Sequence, residues 1–387
     1  MNQISVLLAG IGGYGENYIE ELLSLKDQPI RLAGIADPFA ERSPYFAEIK
    51  SRNIPVFDNV DNFYRTDTAD LAVISSPIHT HYRYIDICLK NRSNVLCEKP
   101  ICGDMGQVDD LIEAEKKSGL FVAVGFQLNF SRDVLALKRD ILDGLFGKPK
   151  LLKTMWLTRR NTKYYRRNKW AGMINYGGEK ILDSPLNNAC AHLLQIMLFL
   201  LGPDMNASVD PLTIDARLWK ARPDIENYDA GAVEIESTNG KMLFFTAHCL
   251  EESSVGPIGD FLFENASIAW RGRNVEQEIT VRFNDGSIKS YVGLNTRKTL
   301  QKLYDVVEAI KDNTRPVCTL ETARSHSLCV DMIQKQPMNI LTQEKMKHME
   351  GTIETECYVI PGLGNIFSDC YNENKLPAAD CFDKVIR

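Results

Sequence analysis

The segment Ile4-Ser5-Val6-Leu7-Leu8-Ala9-Gly10-Ile11-Gly12-Gly13-Tyr14-Gly15 decides how this chain is read. A short, mostly apolar strand runs into a G-x-G-x-x-G turn, and a helix-like stretch follows from Glu16 to Leu25. That strand, turn and helix are the context a dinucleotide-binding fingerprint requires. Gly10 permits the tight turn, and Gly12 lets the backbone approach a pyrophosphate. Gly15 lets the helix pack on the strand with its N-terminal amides facing the anion. Gly13 and Tyr14 complete the same cofactor-facing turn. A second strand, Arg31 to Ala36, ends in Asp37, roughly 20 residues past the last glycine, where a carboxylate can accept both ribose hydroxyls. That spacing favours NAD, with NADP as the alternative; a turn started by Asp37 before Pro38 is the purely structural reading.

Outward from this turn, short apolar strands recur at Leu71 to Ile74, Asn94 to Leu96 and Phe121 to Val124, alternating with helical patterns. The alternation predicts an α/β domain with a doubly wound parallel sheet over residues 1–128. Beyond it the pattern changes to longer strands at Lys150 to Thr158, Leu212 to Lys220, Ala232 to Ser237 and Lys241 to Leu250. Asn239-Gly240 and Asp285-Gly286 read as hairpin turns, so residues 129–387 are expected to form an α+β domain on an open, mainly antiparallel sheet. Helical patterns at Ser184 to Leu201, Lys298 to Lys311 and Leu320 to Gln334 would cover one face of it.

At 387 residues the chain is long enough for two cores, and its charged fraction of 25% is ordinary for a soluble protein. A net charge of -6 argues against a nucleic-acid partner held by phosphate contacts. The ten cysteines include no C-x-x-C pair and read as buried small hydrophobes in a reducing compartment. The N-terminus lacks the basic flank of a signal peptide. The most apolar run, Ala189 to Leu201, is too short to span a bilayer, so no membrane association is expected and the cytoplasm is the expected location.

Ligands of doubly wound sheets lie beyond the carboxyl ends of the strands. Ser75, Ser76, Pro77 and His81 follow one such strand, Glu98-Lys99-Pro100 follows the next, and Gln127 lies past the last. These loops should flank one cofactor, with Pro100 fixing the backbone after Lys99. An exposed lysine and two helix-start histidines are the alternative reading.

The glycine turn, Ser76-Pro77-x-x-x-His81, Glu98-Lys99-Pro100, Gly125-Phe126-Gln127, Gly147-Lys148-Pro149 and Phe199-Leu200-Leu201-Gly202 together resemble the Gfo/Idh/MocA family of oxidoreductases, over roughly residues 4 to 330. The resemblance implies a Rossmann domain and a second domain with an open sheet. It also implies hydride transfer between NAD(P) and a carbon of a sugar, sugar acid or cyclitol. Lys99 matches the family lysine that touches both the nicotinamide ribose and the reacting hydroxyl. The family's Asp-x-x-x-His motif is altered here: aligned from the Leu-Leu-Gly helix end, His192 takes the histidine position and Asn188 the aspartate position. Aligned from Asp183, Asn187 would stand at the histidine position instead.

Helix geometry favours the first register. Ser184 suits an N-cap and Pro185 the first helical position, which places Asn188, His192 and Gln195 at i, i+4 and i+7 on one stripe of a buried helix. In that reading His192 takes the hydroxyl proton, Lys99 stabilises the developing negative charge, and Asn188 orients the histidine without supplying charge. Asp183 orients a substrate hydroxyl or favours the helix dipole. Tyr165, Arg166 and Trp170, from the basic segment Tyr164 to Trp170, are the expected carbohydrate contacts, Arg166 and Arg167 suiting an anionic group; Asn187 joins the substrate set. An ordinary solvated basic loop is the alternative. A redox-neutral NAD-dependent glycosidase or epimerase, and a cofactor-binding sensor without catalysis, are the competing functions. An exposed sheet face in the second domain would favour a homodimer or homotetramer. Residues from Asn339 onward suggest only packing or assembly.

Overall fold

The computed structural model describes residues 3–25, 30–273, 276–292 and 300–382. The chain divides into two compact units. The first is Met1–Phe130 with Arg297–Arg324, and the second is Ser131–Thr296 with Ser325–Arg387. The expected border at 128/129 falls two residues before the observed one. The single crossing it assumed does not hold, because 297–324 belongs with the first unit. The helix Gln301–Asp312 in that segment buries Lys302, Leu303, Tyr304, Val306 and Val307, a face too apolar to be left in water. Residues 298 and 299 of the helix expected from Lys298 lie outside the described residues.

In the first unit, β1 (Ile4–Ala9), β2 (Ile30–Ala36), β3 (Val56–Phe57), β4 (Leu71–Ile74), β5 (Asn94–Cys97) and β6 (Val122–Val124) form one sheet in the order β3-β2-β1-β4-β5-β6. Every pair in it is parallel. All four residues of β4 are buried, as a central strand covered on both faces must be. Only the two-residue β3 has no counterpart in the sequence reading. The returning segment joins the far edge through an antiparallel bridge between Ala123 and Thr319.

The second unit is built on β7 (Pro149–Arg159), a short ribbon β8 (Asn175–Tyr176) and β9 (Glu179–Lys180), then β10 (Pro211–Lys220), β11 (Ala230–Ser237), β12 (Gly240–Ala247), β13 (Cys249–Phe263), β14 (Ala266–Arg273), β15 (Glu276–Phe283), β16 (Ile288–Tyr291) and β17 (Met338–Ile340). Nine of these strands form a mixed sheet in the order β16-β15-β14-β13-β7-β12-β11-β10-β17, antiparallel except at β7/β12 and β10/β17. Both expected hairpins form, with Gly240 (φ 143) opening β12 directly after the turn residues Thr238 and Asn239 and Gly286 (φ 88) lying between β15 and β16. The expected strand Lys241 to Leu250 is two strands. The chain breaks at His248, whose N–H donates to Asp229 O at 2.7 Å while its carbonyl accepts from Arg160 N at 2.8 Å.

A further ribbon, β18 (Lys347–Met349) with β19 (Cys357–Val359), precedes the helix Leu363–Asn372. That helix contributes Leu363, Phe367, Cys370 and Tyr371 to a core with Met155, Leu157, Trp219, Leu243, Phe245 and Phe382. Lys153 Nζ donates to Tyr371 O at 2.7 Å and to Asn374 Oδ1 at 2.8 Å, fastening the segment down. Thr154, one residue on and therefore on the other face, contacts Met197 of the helix Ala191–Leu200. The chain's own C-terminal segment thus fills sheet surface that was expected to lie open, which removes that argument for self-association. No helix among the described residues is long and apolar enough to cross a membrane.

Candidate cofactor and substrate sites

In the first unit the glycine turn sorts its glycines by task. A Cβ on Gly15 would lie 2.2 Å from Gly10 O, and one on Gly10 would lie 2.8 Å from Ser76 N, so both are required by close backbone packing. A Cβ on Gly12 or Gly13 would meet nothing within 4 Å. Asp37 closes one side of the turn: Oδ2 accepts from Ile11 N at 2.9 Å and Oδ1 from Phe39 N at 2.8 Å. A carboxylate has about four acceptor positions, so two remain for a diol. Ser75 Oγ is buried with no hydrogen-bond partner among the described residues. Open space over two glycines, spare carboxylate lone pairs and an orphaned hydroxyl together fit a dinucleotide.

His81 braces this site rather than facing it. Its Nδ1 lies 2.9 Å from Pro100 O and its Nε2 2.9 Å from Ser76 O, which ties the two loops together. Burial lowers its pKa, and a neutral ring donates to only one of the two carbonyls. Pro77 is exposed at the head of the loop, while Ser76 Oγ pairs with Thr80 Oγ1 at 2.6 Å.

Glu98 is also turned inward. Its Oε1 accepts from Tyr18 OH at 2.8 Å and from the ammonium of Lys302, which is fully buried. Burial works to lower the Lys302 pKa, but Glu98 and Tyr14 hold it above the ordinary lysine value. Lys302 also lies 4.6 Å from the Tyr14 ring centroid, and Tyr14 OH donates to the buried Gln127 at 3.2 Å. A Cβ on Gly125 would lie 2.9 Å from Glu98 Oε1, so that glycine makes room for the ion pair. Lys99 follows directly, half-buried at the end of β5. Lys302 was not foreseen: a lysine some 200 residues downstream on an amphipathic helix reads as a solvated face.

In the second unit Ser184 caps as expected, accepting from Asn187 N at 3.2 Å. The single helix drawn from Ser184 to Leu201 does not form. A wide turn, Pro185–Ala189, ends at Cys190 (φ -109, ψ 10), and a separate helix runs Ala191–Leu200. Asn188 therefore lies in a different turn from His192 and Gln195, and the i, i+4, i+7 stripe is broken. Asn188 Nδ2 donates to Asp183 Oδ1 at 2.7 Å, and Asp183 Oδ2 accepts from Gly172 N at 2.6 Å. Asn187 spends its amide on Ile181 O and Leu182 O at 3.0 and 3.2 Å. His192 is the one residue of its helix that is not buried.

Around this cluster, Arg167 lies 3.6 Å from Asp183 Oδ2 and stacks 3.8 Å from the Tyr164 centroid and 5.3 Å from that of Trp170. Arg166 points to solvent and Trp170 is half-buried. Tyr165 is buried, its hydroxyl 3.2 Å from His248 Nδ1, and burial pushes the neighbouring Tyr164 phenol up to about 12. His248 is held well below the usual histidine pKa by burial and by Arg160 and Arg167. Arg160, His248 and Arg222, which lies over the Tyr165 ring at 4.8 Å, were also unforeseen.

Residues 4–126 match the family described as an oxidoreductase family with an NAD-binding Rossmann fold, GFO_IDH_MocA. The chain is similar to inositol 2-dehydrogenase of Rubrobacter xylanophilus, 32% identical over 152 residues, which are 39% of this chain and 43% of that protein. It is also similar to a putative UDP-kanosamine synthase oxidoreductase subunit of Amycolatopsis mediterranei, 27% identical over 61% of this chain and 63% of that one. The chain thus matches less than half the length of the inositol dehydrogenase. Among solved structures it is similar to the WlbA dehydrogenase of Bordetella pertussis in complex with NADH and UDP-GlcNAcA, with a TM-score of 0.71, 17% identity and coverage of 86% and 96% of the two chains. The aldose-aldose oxidoreductase of Caulobacter crescentus gives a TM-score of 0.70 at 15% identity, over 86% and 97%. At these identities the structures speak for the fold.

Proposed function

We propose, from the premise that this chain belongs to the Gfo/Idh/MocA oxidoreductase family through its NAD-binding Rossmann domain, that it is an NAD-dependent dehydrogenase acting on a CH–OH carbon of a sugar, sugar acid or cyclitol. The observation that carries the reading is the glycine turn itself: Gly12 and Gly13 face open space beside the Asp37 carboxylate, with Lys99 just past the end of β5 in the same sheet. The inositol and sugar-nucleotide chemistry in the names of similar proteins supports the substrate class.

When bound, the nicotinamide supplies the hydride acceptor. The chain's own residues do the rest. The amides of the turn bind the pyrophosphate, and the two spare lone pairs of Asp37 select a free ribose diol, which favours NAD over NADP. Lys99, kept in register by the buried Glu98 beside it, stabilises the negative charge that develops on the substrate oxygen. His192 takes the hydroxyl proton. Asp183 and Asn188, already bonded to each other, position the substrate hydroxyls, with Tyr165, Arg166, Trp170 and Asn187 as the wider binding set.

Lys99→Met separates these tasks. NAD affinity, followed by NADH fluorescence, is expected to stay within roughly twofold while turnover falls by about 10²–10⁴. Full turnover in that variant would overturn the reading.

A further inference from the structure

Arg160 and Arg167 approach the same aromatic ring. Their guanidinium carbons lie 4.6 and 3.8 Å from the Tyr164 centroid. Arg167 is partly committed: it donates to Tyr164 O at 2.6 Å and lies 3.6 Å from Asp183 Oδ2. Arg160 is not. Its side chain makes no hydrogen bond or ion pair among the described residues, and its Nε is buried without a partner. Stacking on a ring attracts the charge but leaves the in-plane N–H donors unsatisfied.

His248 packs edge-on to the same ring at 5.2 Å. It is 3% exposed, its Nδ1 is taken by Tyr165, and its Nε2 has no partner among the described residues. The charge count is uneven, because Asp183 pairs with Arg167 and already accepts from Gly172 N and Asn188 Nδ2, while Arg160 has no carboxylate partner among the described residues. Two like charges on one ring with buried, unused donors call for an anionic oxygen.

We propose that Arg160, Arg167 and His248 form an anion subsite next to Asp183, and that the substrate carries a carboxylate or phosphate that docks there. The inference rests on the reading of this unit as the substrate-binding part of a dehydrogenase. It replaces Arg166, which faces solvent, with Arg160 as the second guanidinium of the expected anion contact. Arg160 supplies its unused N–H donors to the anion, Arg167 the added positive charge, and His248 the remaining donor or acceptor according to its tautomer.

The test is equilibrium binding by calorimetry in the presence of NADH, so that no oxidation is needed, with glucose, glucuronate and glucose 1-phosphate as probes. At least one acidic probe is expected to bind about tenfold or more tightly than glucose, given the strength of charge-assisted hydrogen bonds. Preference for glucuronate identifies a carboxylate, and preference for the sugar phosphate identifies a phosphate. Arg160→Gln should bring the acidic probes to within roughly twofold of glucose while glucose itself binds as before, and Arg160→Lys should recover part of the preference. Unchanged glucose binding shows that the variant is folded. Equal binding of all three probes by the native chain, or a preference that survives Arg160→Gln, overturns the subsite. An anion preference without NAD reduction for any sugar would leave the subsite standing and remove the dehydrogenase.

Discussion

The two units hold their candidate site residues by different means. In the first, position comes from the backbone: a turn in which Gly10 and Gly15 leave no room for a side chain, strand ends in parallel register, and a carboxylate bonded to two main-chain amides. In the second, it comes from side chains on separate segments that meet around Tyr164 and Asp183. Backbone placement needs a few residues at fixed spacing, whereas side-chain placement needs a fold already formed. The first kind therefore suits a shared ligand and the second a particular one.

The sharpest exception in the first unit is the Glu98–Lys302 pair, a side-chain device linking residues some 200 apart. Lys302→Met would strand the Glu98 carboxylate in a buried site, and a loss of about 3–5 kcal/mol is expected by urea denaturation. The double change Lys302→Met with Glu98→Gln should recover much of it. A fully stable single variant would mean that backbone packing alone holds the loop.

Two alanine substitutions test the backbone account directly. Gly15→Ala forces a Cβ toward Gly10 O and should cost about 1–3 kcal/mol of stability. Gly12→Ala meets open space, so stability should stay within about 0.5 kcal/mol while NAD affinity falls roughly tenfold. Equal effects on stability would erase the distinction between a packing glycine and a ligand glycine.

The smallest effects concern pH in the second unit. The His248 pKa is depressed on folding, chiefly by burial, so its contribution is present above the unfolded value of about 6.5 and is lost as pH falls below it. Burial pushes the Asp229 carboxyl up to about 6, so it favours the fold increasingly as pH drops through that value, by about 1 kcal/mol between pH 7 and 5. Thermal melting at the two pH values should show His248→Gln flattening the acid-side loss and Asp229→Asn steepening it. Shifts of the same sign in both variants would contradict the buried charge states.

This contrast also explains what could be read in advance. The parallel sheet, its strand ends and the cofactor loops lie within one short stretch of sequence, where spacing encodes geometry. Lys302 could not be read, because nothing local marks a lysine as buried against a distant glutamate. The break at Cys190 was hidden by a run from Ala189 to Leu201 that is apolar except for His192 and Gln195. His248 vanished inside what looked like one strand, and Arg160 beside Arg159 looked like the end of another. Glu98, His81 and Asn187, assigned to ligands from their motifs, instead hold hydrogen-bond partners within the protein itself.

The central claim is that the open glycine turn serves hydride transfer from a carbohydrate carbon. The most direct test is absorbance at 340 nm when the protein is mixed with NAD or NADP and a panel of neutral sugars, uronates, sugar phosphates and cyclitols, with cofactor released by denaturation analysed in parallel. The account predicts NADH formation with one substrate class and a preference for NAD. No NADH from any substrate would contradict it, and stoichiometric bound NAD in that case would identify a redox-neutral enzyme instead.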